Sequence, residues 1–364
     1  MTAITIPAAE HRGLDQDLVR VEVDGILDCF LTEKARTAAA QRMPAEVTAV
    51  LRGFLAAGGK RIRPLLCVTG WQAAGGQGLP RSVVQVAASL EMFHAFCLIH
   101  DDVMDESDTR RGHPTVHRAV AAHHTHGRTG SAADQLGNSA AVLIGDLALA
   151  WSDELLHTAG LTRRQLADVL PLIDTMRTEV MYGQYLDVTT AGAPTDDIEH
   201  ALAVCRYKTA KYTIERPLHL GAALTDASQP LLEALSAYAV PLGEAFQLRD
   251  DLLGVFGAPD VTGKPVLDDL REGKATVLIA HTLQRAHRAQ ADQLRLLLGC
   301  PTLTESQAKV ACRIIQATSA HDTVNHMIEQ RYETALAALD TAPIQPAAAD
   351  ALRRLADEAV RRST

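Results

Sequence analysis

Leu98-Ile99-His100-Asp101-Asp102-Val103-Met104-Asp105, with Arg110-Arg111 close behind it, is the stretch from which the fold can be read. Leu90, Phe93, Phe96, Cys97 and Met104 lead into and through it with no Gly or Pro break, which predicts one helix from about Pro80 to Glu106. On that helix Asp101 and Asp105 stand four residues apart, so their carboxylates share a face, and His94 lies on the same face two turns earlier. Two acids that close repel each other unless a cation sits between them. All-oxygen ligands suit a hard divalent ion, and Mg²⁺ takes one or two carboxylates plus phosphate oxygens. The guanidinium forks of Arg110 and Arg111 match phosphate. Acids, metal and arginines together describe a diphosphate site. The alternative is a solvated acidic helix end, and the rest of the chain decides between them.

The composition favours an all-α protein. Of 364 residues, 47% are hydrophobic, enough for a large packed core, yet only 4% are aromatic and alternating Val/Ile/Thr runs are nearly absent. A formal charge of −9 excludes a nucleic-acid binder that works through bulk electrostatics, so any anionic substrate must be met by a local basic cluster. The cysteines (29, 67, 97, 205, 300 and 312) show no CxxC spacing, as expected of free thiols in a reducing compartment. No secretory signal pattern opens the chain. The longest apolar run, residues 83–99, contains Gln85, Glu91 and His94 and is a poor membrane span. A cytoplasmic protein is expected.

Taken in order, residues 1–13 form a loose leader, and helices follow over about 14–40 and 45–57, the second ending at Gly58-Gly59. Lys60-Arg61-Ile62-Arg63-Pro64 then opens another helix. Cations at a helix N-terminus oppose its dipole, which a bound anion would justify. Residues 107–137 read as an irregular loop; His123-His124-Thr125-His126 lacks nearby cysteines and reads as exposed chain, not as a zinc site. Further helices cover about 138–159, 162–188 and 195–217, with a break or kink at Pro217. Another runs from about Gln229 through Pro241 to a second acidic helix end, Gln247-Leu248-Arg249-Asp250-Asp251. A polar loop carries Gly263-Lys264 and Gly273-Lys274, and residues 275–364 read as four amphipathic helices. No linker separates two domains.

Two acidic helix ends about 150 residues apart, each followed by basic residues, could face each other around one diphosphate. Lys208, Lys264 and Lys274 would neutralise its charge. In this order, Gly58-Gly-Lys60-Arg-Ile-Arg63-Pro64, Asp101-Asp-Val-Met-Asp105 with Arg110-Arg111, Lys208-Thr209, Phe246-Gln247-Leu-Arg-Asp250-Asp251, Gly263-Lys264 and Gly273-Lys274 resemble the trans-polyprenyl diphosphate synthases over about residues 50–280.

The resemblance implies a single large helical bundle around a central cavity, with both acidic motifs at its mouth. It implies a magnesium-dependent prenyltransferase that condenses isopentenyl diphosphate with allylic diphosphates. Asp101, Asp105 and Asp250 would bind a cluster of up to three Mg²⁺ ions. Arg110, Lys208, Lys264 and Lys274 would contact the allylic diphosphate, while Lys60, Arg63, His94 and Arg111 would hold isopentenyl diphosphate. Thr209 and Gln247 would lie beside the developing cation. Phe93, Phe96 and Cys97, on the helix preceding Asp101, would set chain length. An aromatic five positions before Asp101 and a non-aromatic four before imply a C20 product, geranylgeranyl diphosphate; Phe93 leaves the C15 farnesyl product open. A homodimer is implied as well. One departure stands out: many members carry a third aspartate where this chain has Gly254.

Other readings fit less well. A class I terpene cyclase needs no isopentenyl site, which the 60–63 cluster argues against. A phosphate-binding loop around Gly263-Lys264 would need Gly at Ala258 and Ser or Thr at Pro265. A metal phosphohydrolase built on His100-Asp101 lacks histidine partners at convincing spacing. A non-catalytic subunit predicts decayed motifs, whereas both aspartate pairs are intact.

Overall fold

The computed structural model describes residues 15–257 and 268–361, and almost all of this is helix. The leader (1–13), the segment 258–267 and Lys264 within it lie outside the described residues. Helix α1 (Gln16–Ala40) is started by Asp15, whose carboxylate accepts from the backbone N–H of Asp17 and Leu18 at 3.1 Å. Helices α2 (Glu46–Ala56), α3 (Ile62–Ala73) and α4 (Arg81–Met104) follow. Helix α4 is buried nearly all round, from Val83 to Ile99, and runs through the centre of the fold. It is the one described helix long and apolar enough to cross a membrane, and 72% of that stretch is packed inside the protein. Its hydrophobicity is therefore consumed by the core.

The region expected to be irregular is mostly ordered. A minimal antiparallel pair, β1 (Thr109–Arg110) with β2 (His113–Pro114), turns the chain so that Arg110 faces back toward α4. Helix α5 (Val116–His123) then buries Val116, Val120 and Ala121, and α6 (Gly130–His157) begins eight residues before the expected start at 138. The two helices meet through small residues: a Cβ on Gly137 would overlap the His117 carbonyl. Close packing of Ala and Gly gives little apolar periodicity, so the sequence pattern misses it. His124 bonds the Glu46 carboxylate at 2.9 Å rather than joining a metal cluster.

Helix α7 (Arg163–Thr190) leads to α8 (Ile198–Val204), which passes into an eleven-residue π-helical stretch, Cys205–Glu215, and then α9 (Arg216–Ala223). Pro217 lies in the first turn of α9, which follows the π-helical stretch without a non-helical residue between them, so the expected break coincides with a change of helical type. Helix α10 (Gln229–Phe256) runs through Pro241 without a break in the helix. After α11 (Asp268–Glu272), the remainder forms five helices, not four: α12 (Val277–Arg285), α13 (Arg288–Leu297), α14 (Glu305–Ala317), α15 (Ala320–Thr341) and α16 (Pro346–Val360). The additional break falls at Ala286, where extended backbone is followed by His287 and Gln290 capping α13 reciprocally. Histidine is an uncommon cap, which hid the boundary.

Two hydrophobic clusters result. One is built mainly from α1 to α7, the other mainly from α10 and the C-terminal helices. Helices α3 and α9 pack between them at close range. A Cβ on Gly70 would overlap the Leu218 carbonyl, and one on Gly221 would overlap that of Cys67. Gly221→Ala is accordingly expected to cost about 1–3 kcal/mol through overpacking. Urea denaturation would read this as a lower midpoint at unchanged slope; an unchanged midpoint would mean that the two helices do not approach this closely in solution.

Candidate active site

Between the clusters lies a cavity of about 970 Å³, at the upper end of the ordinary range of roughly 300–1,000 Å³ for ligand sites. One wall comes from α4, where His94, Cys97, Leu98 and Asp101 line it. The opposite wall is the end of α10, with Gln247, Asp250, Asp251 and Gly254. The two acidic helix ends thus face one space.

Lysines tie the acids down. Lys208, from the π-helical stretch, donates to Asp101 at 2.9 Å and to Asp187 of α7 at 2.6 Å. Lys274 reaches Asp105 at 3.1 Å and Glu272 at 2.8 Å. Burial alone would raise the Asp101 carboxyl, but Lys208, Lys274 and Arg110 overcome it and hold it well below the usual range. Asp105 is raised instead, because burial and the neighbouring Asp101 outweigh Lys274. Burial also lifts Asp251 to about 7, although Gln247 donates to it at 2.7 Å; Asp269 and Asp250 add to the rise. Gln247 in turn accepts from the Thr209 hydroxyl at 2.6 Å. The π-helical stretch widens the turn that presents Lys208 and Thr209, and such distortions concentrate at functional sites.

Asp102 points the other way. It is 1% exposed and grips Arg110 through the Nε (2.8 Å) and a terminal nitrogen (2.6 Å), which leaves Arg110 3.4 Å from Asp101. This pair fixes the hairpin against the first acidic motif.

The basic cluster occupies a separate wall. Lys60, Arg61, Arg63 and Arg111 all line the cavity. Arg61 adopts a left-handed backbone (φ 50°) at the start of α3, and its buried side chain bonds Asp24 at 2.9 Å, Glu91 at 2.8 Å and the Leu55 carbonyl at 2.7 Å. That anchor turns the flanking Lys60 and Arg63 toward the cavity. Arg63 lies over the Tyr212 ring at 4.2 Å and donates to Thr213 at 2.6 Å, while its buried Nε has no partner among the described residues. A buried guanidinium N–H left unmatched beside a cavity fits an anionic ligand. Arg111 is held by the Gly58 carbonyl. His94 bonds the Tyr212 hydroxyl at 3.1 Å, and burial together with Arg63, Arg111 and Arg110 pushes its imidazole well below its ordinary value, so it is neutral.

The described candidates line this cavity except Asp105, which is tied to it through Lys274, and the aromatic pair of α4. Cys97 lines the cavity, but Phe93 and Phe96 lie behind that wall, their rings 5.4 Å apart; Phe93 meets Tyr212 edge-on and Phe96 meets His100. Among the described residues no three acidic, imidazole or thiol groups form a metal-binding cluster. Asp101 and Asp105 hold ammonium groups where cations would sit, and the donor set is all oxygen. An ion that takes one or two carboxylates and completes its shell from phosphate fits this arrangement. Sequence reasoning missed Asp187, Arg61 with Glu91, Tyr212 and Asp269. Asp187 and Gln184, which bonds Asp101 at 3.1 Å, sit one turn apart on α7, outside the motifs that carry the resemblance.

A family model described as polyprenyl synthetase matches residues 44–315. The chain belongs to this family. It is 32% identical over 272 residues to the geranylfarnesyl diphosphate synthase of Aeropyrum pernix, covering 74% of this chain and 79% of that one. It is 34% identical over 261 residues to a (2E,6E)-farnesyl diphosphate synthase of Mycobacterium tuberculosis, covering 71% of this chain and 67% of the relative. Among solved structures it resembles a geranylgeranyl pyrophosphate synthase from Corynebacterium glutamicum complexed with isoprenyl diphosphate and magnesium. That match has a TM-score of 0.91 and 43% identity over 96% of this chain and 100% of that one. As a member of the family the chain is a prenyltransferase of the short-chain type, with the expected all-α fold.

The Arg61 anchor can be tested without substrate. Arg61→Met leaves Glu91 buried and uncompensated, with an expected loss of about 3–5 kcal/mol. Combining it with Glu91→Met should return much of that loss in a double-mutant cycle. Additive losses would show that the pair is not coupled.

Proposed function

We propose that the protein condenses isopentenyl diphosphate with allylic diphosphates to give an all-trans prenyl diphosphate, geranylgeranyl diphosphate (C20) being the product. The observation that carries this reading is the convergence of two acidic helix ends and a separate basic cluster on one cavity. Two anionic substrates need two distinct sites, and this cavity offers them.

Asp101, Asp105 and Asp250 would hold Mg²⁺, which supplies Lewis-acid neutralisation of the departing allylic diphosphate. Lys208, Lys274 and Arg110, with Lys264 from the loop, are suited to bind the same diphosphate and to take up negative charge as it gathers there. Lys60, Arg63 and Arg111, with neutral His94 beside them, suit the isopentenyl diphosphate. Thr209 and Gln247 present oxygen dipoles to the carbon left electron-poor when the C–O bond breaks. The apolar wall of Cys97, Leu98 and Val180 keeps water from that carbon until the isopentenyl double bond adds to it. The released diphosphate then takes up a proton from the carbon beside the new cation, and the C–H electron pair forms the product's double bond.

Phe93 and Phe96 pack behind Cys97 and do not enter the cavity lining, which supports C20 over shorter products. The farnesyl (C15) reading is favoured by one contact, Phe93 against Tyr212, which itself lines the cavity. We also propose a cytoplasmic homodimer. Val142 and Leu143 of α6 and Met181, Tyr182, Tyr185 and Val188 of α7 are exposed apolar side chains that a second copy could cover, and the cysteines are unpaired.

The test is product analysis with isopentenyl diphosphate, Mg²⁺ and C5, C10 or C15 primers. A C20 prenol after dephosphorylation is expected, and no condensation by folded protein would refute the reading. Cys97→Phe should shift the product to C15 or shorter, and Phe96→Ala should lengthen it. Products unchanged in both variants would mean that this face of α4 does not form the floor.

A further inference from the structure

One row of α7 faces the π-helical stretch: Glu179, Gly183 and Asp187, each four residues from the next. Asp187 bonds Lys208, and Gly183 lets the two backbones meet. Glu179 lies outside the cavity lining and takes no part in the chemistry derived above. Its carboxylate nevertheless accepts from the Lys211 Nζ at 2.6 Å and from Arg216 through the Nε at 2.7 Å and a terminal nitrogen at 2.8 Å. Burial alone would raise the Glu179 carboxyl, but Arg216 and Lys211 hold it below its usual range, so it is ionised.

Lys211 and Arg216 stand five positions apart. In an α-helix five residues carry the chain about 140° past a full turn, so two such side chains diverge. Here the Arg216 N–H bonds the Lys211 carbonyl, the i→i+5 bond of a π-helix, and residues linked in this way lie nearly one above the other. One carboxylate can hold both cations only while the turn is widened. We propose that Glu179 is a positioning residue that staples Lys211 to Arg216 and so holds the π-helical turn that presents Lys208 and Thr209 to the cavity. This rests on the diphosphate reading above, in which Lys208 meets the leaving group and Thr209 the electron-poor carbon. A return to α-helical winding would rotate Lys208 and Thr209 away from Asp101 and Gln247, which they bond at 2.9 and 2.6 Å.

Steady-state kinetics with isopentenyl diphosphate, Mg²⁺ and the allylic primer that wild type uses best separate positioning from bracing. Glu179→Gln should lower kcat at saturating substrates by about 100-fold, the scale of a misplacement of about 1 Å. Glu179→Asp, which keeps the charge, should retain more of the activity. Hydrogen exchange, read without substrate, should quicken in Glu179→Gln over residues 205–215 while α4 and α10 keep wild-type protection. A folded Glu179→Gln with wild-type kcat and only a lower melting temperature would overturn the proposal, and so would unchanged exchange over 205–215. If Glu179→Gln does not fold, Lys211→Met decides, because it opens the staple and leaves Glu179 paired with Arg216. A lowered kcat in that variant supports the proposal, and wild-type kcat overturns it. Wild-type protein that condenses no primer would instead refute the diphosphate reading, whereas the exchange pattern still reads the staple.

Discussion

Buried carboxylates of like charge must be neutralised, and this one constraint orders the architecture around the cavity. Asp101 and Asp105 project from the end of a helix whose remainder is core, so water cannot screen them fully. Lys208 and Lys274 meet the requirement, and each is shared between a motif acid and a second acid from a different segment. An ammonium has three N–H donors. Two are engaged here, so each lysine can donate to a further anionic oxygen without abandoning its acid. The resting site is therefore already arranged for a ligand that brings both negative charge and its own cations.

The sharing also explains why remote segments are fixed in place. Lys208 reaches Asp101 only because the π-helical stretch opens its turn, and α7 must lie close alongside. A Cβ on Gly183 of α7 would overlap the Lys208 backbone. Lys274 reaches Asp105 only because Gly192, Gly273 and Gly299 let three chain segments meet almost backbone to backbone. Close approach without side chains costs little apolar burial locally, but it sets the distance between the helix ends.

What could be read from the sequence was what is local in it. Helical period, glycine stops and the i, i+4 acids define α1 to α4 and both acidic helix ends to within a few residues. The charge-bearing motifs identify the site because their residue types are improbable elsewhere on an apolar helix. Illegible was whatever depends on contact between distant segments. Helix α5 is only eight residues long and the start of α6 packs through Ala and Gly, so neither carries an extended periodic apolar signal. The π-helical stretch has no composition signature. Arg61 looked like one more cation in a basic run, whereas its partners Asp24 and Glu91 make it the anchor of that run.

The two acidic sites solve the same electrostatic problem by different routes. On α4 the pair is written in one helix and balanced by lysines from two other segments. On α10 the position four residues after Asp250 is Gly254, and the carboxylate of Asp269 from α11 lies against it. Burial raises Asp251 to about 7 and lifts Asp105 above its usual range, so each wall holds one acid whose charged form a bound cation would favour. A metal ion in the space between them relieves the repulsion among these acids as well as gripping phosphate. The lysines that hold Asp101 and Asp105 leave the α4 wall arranged before the ligand arrives, and the ligand's own cations complete the balance for both walls.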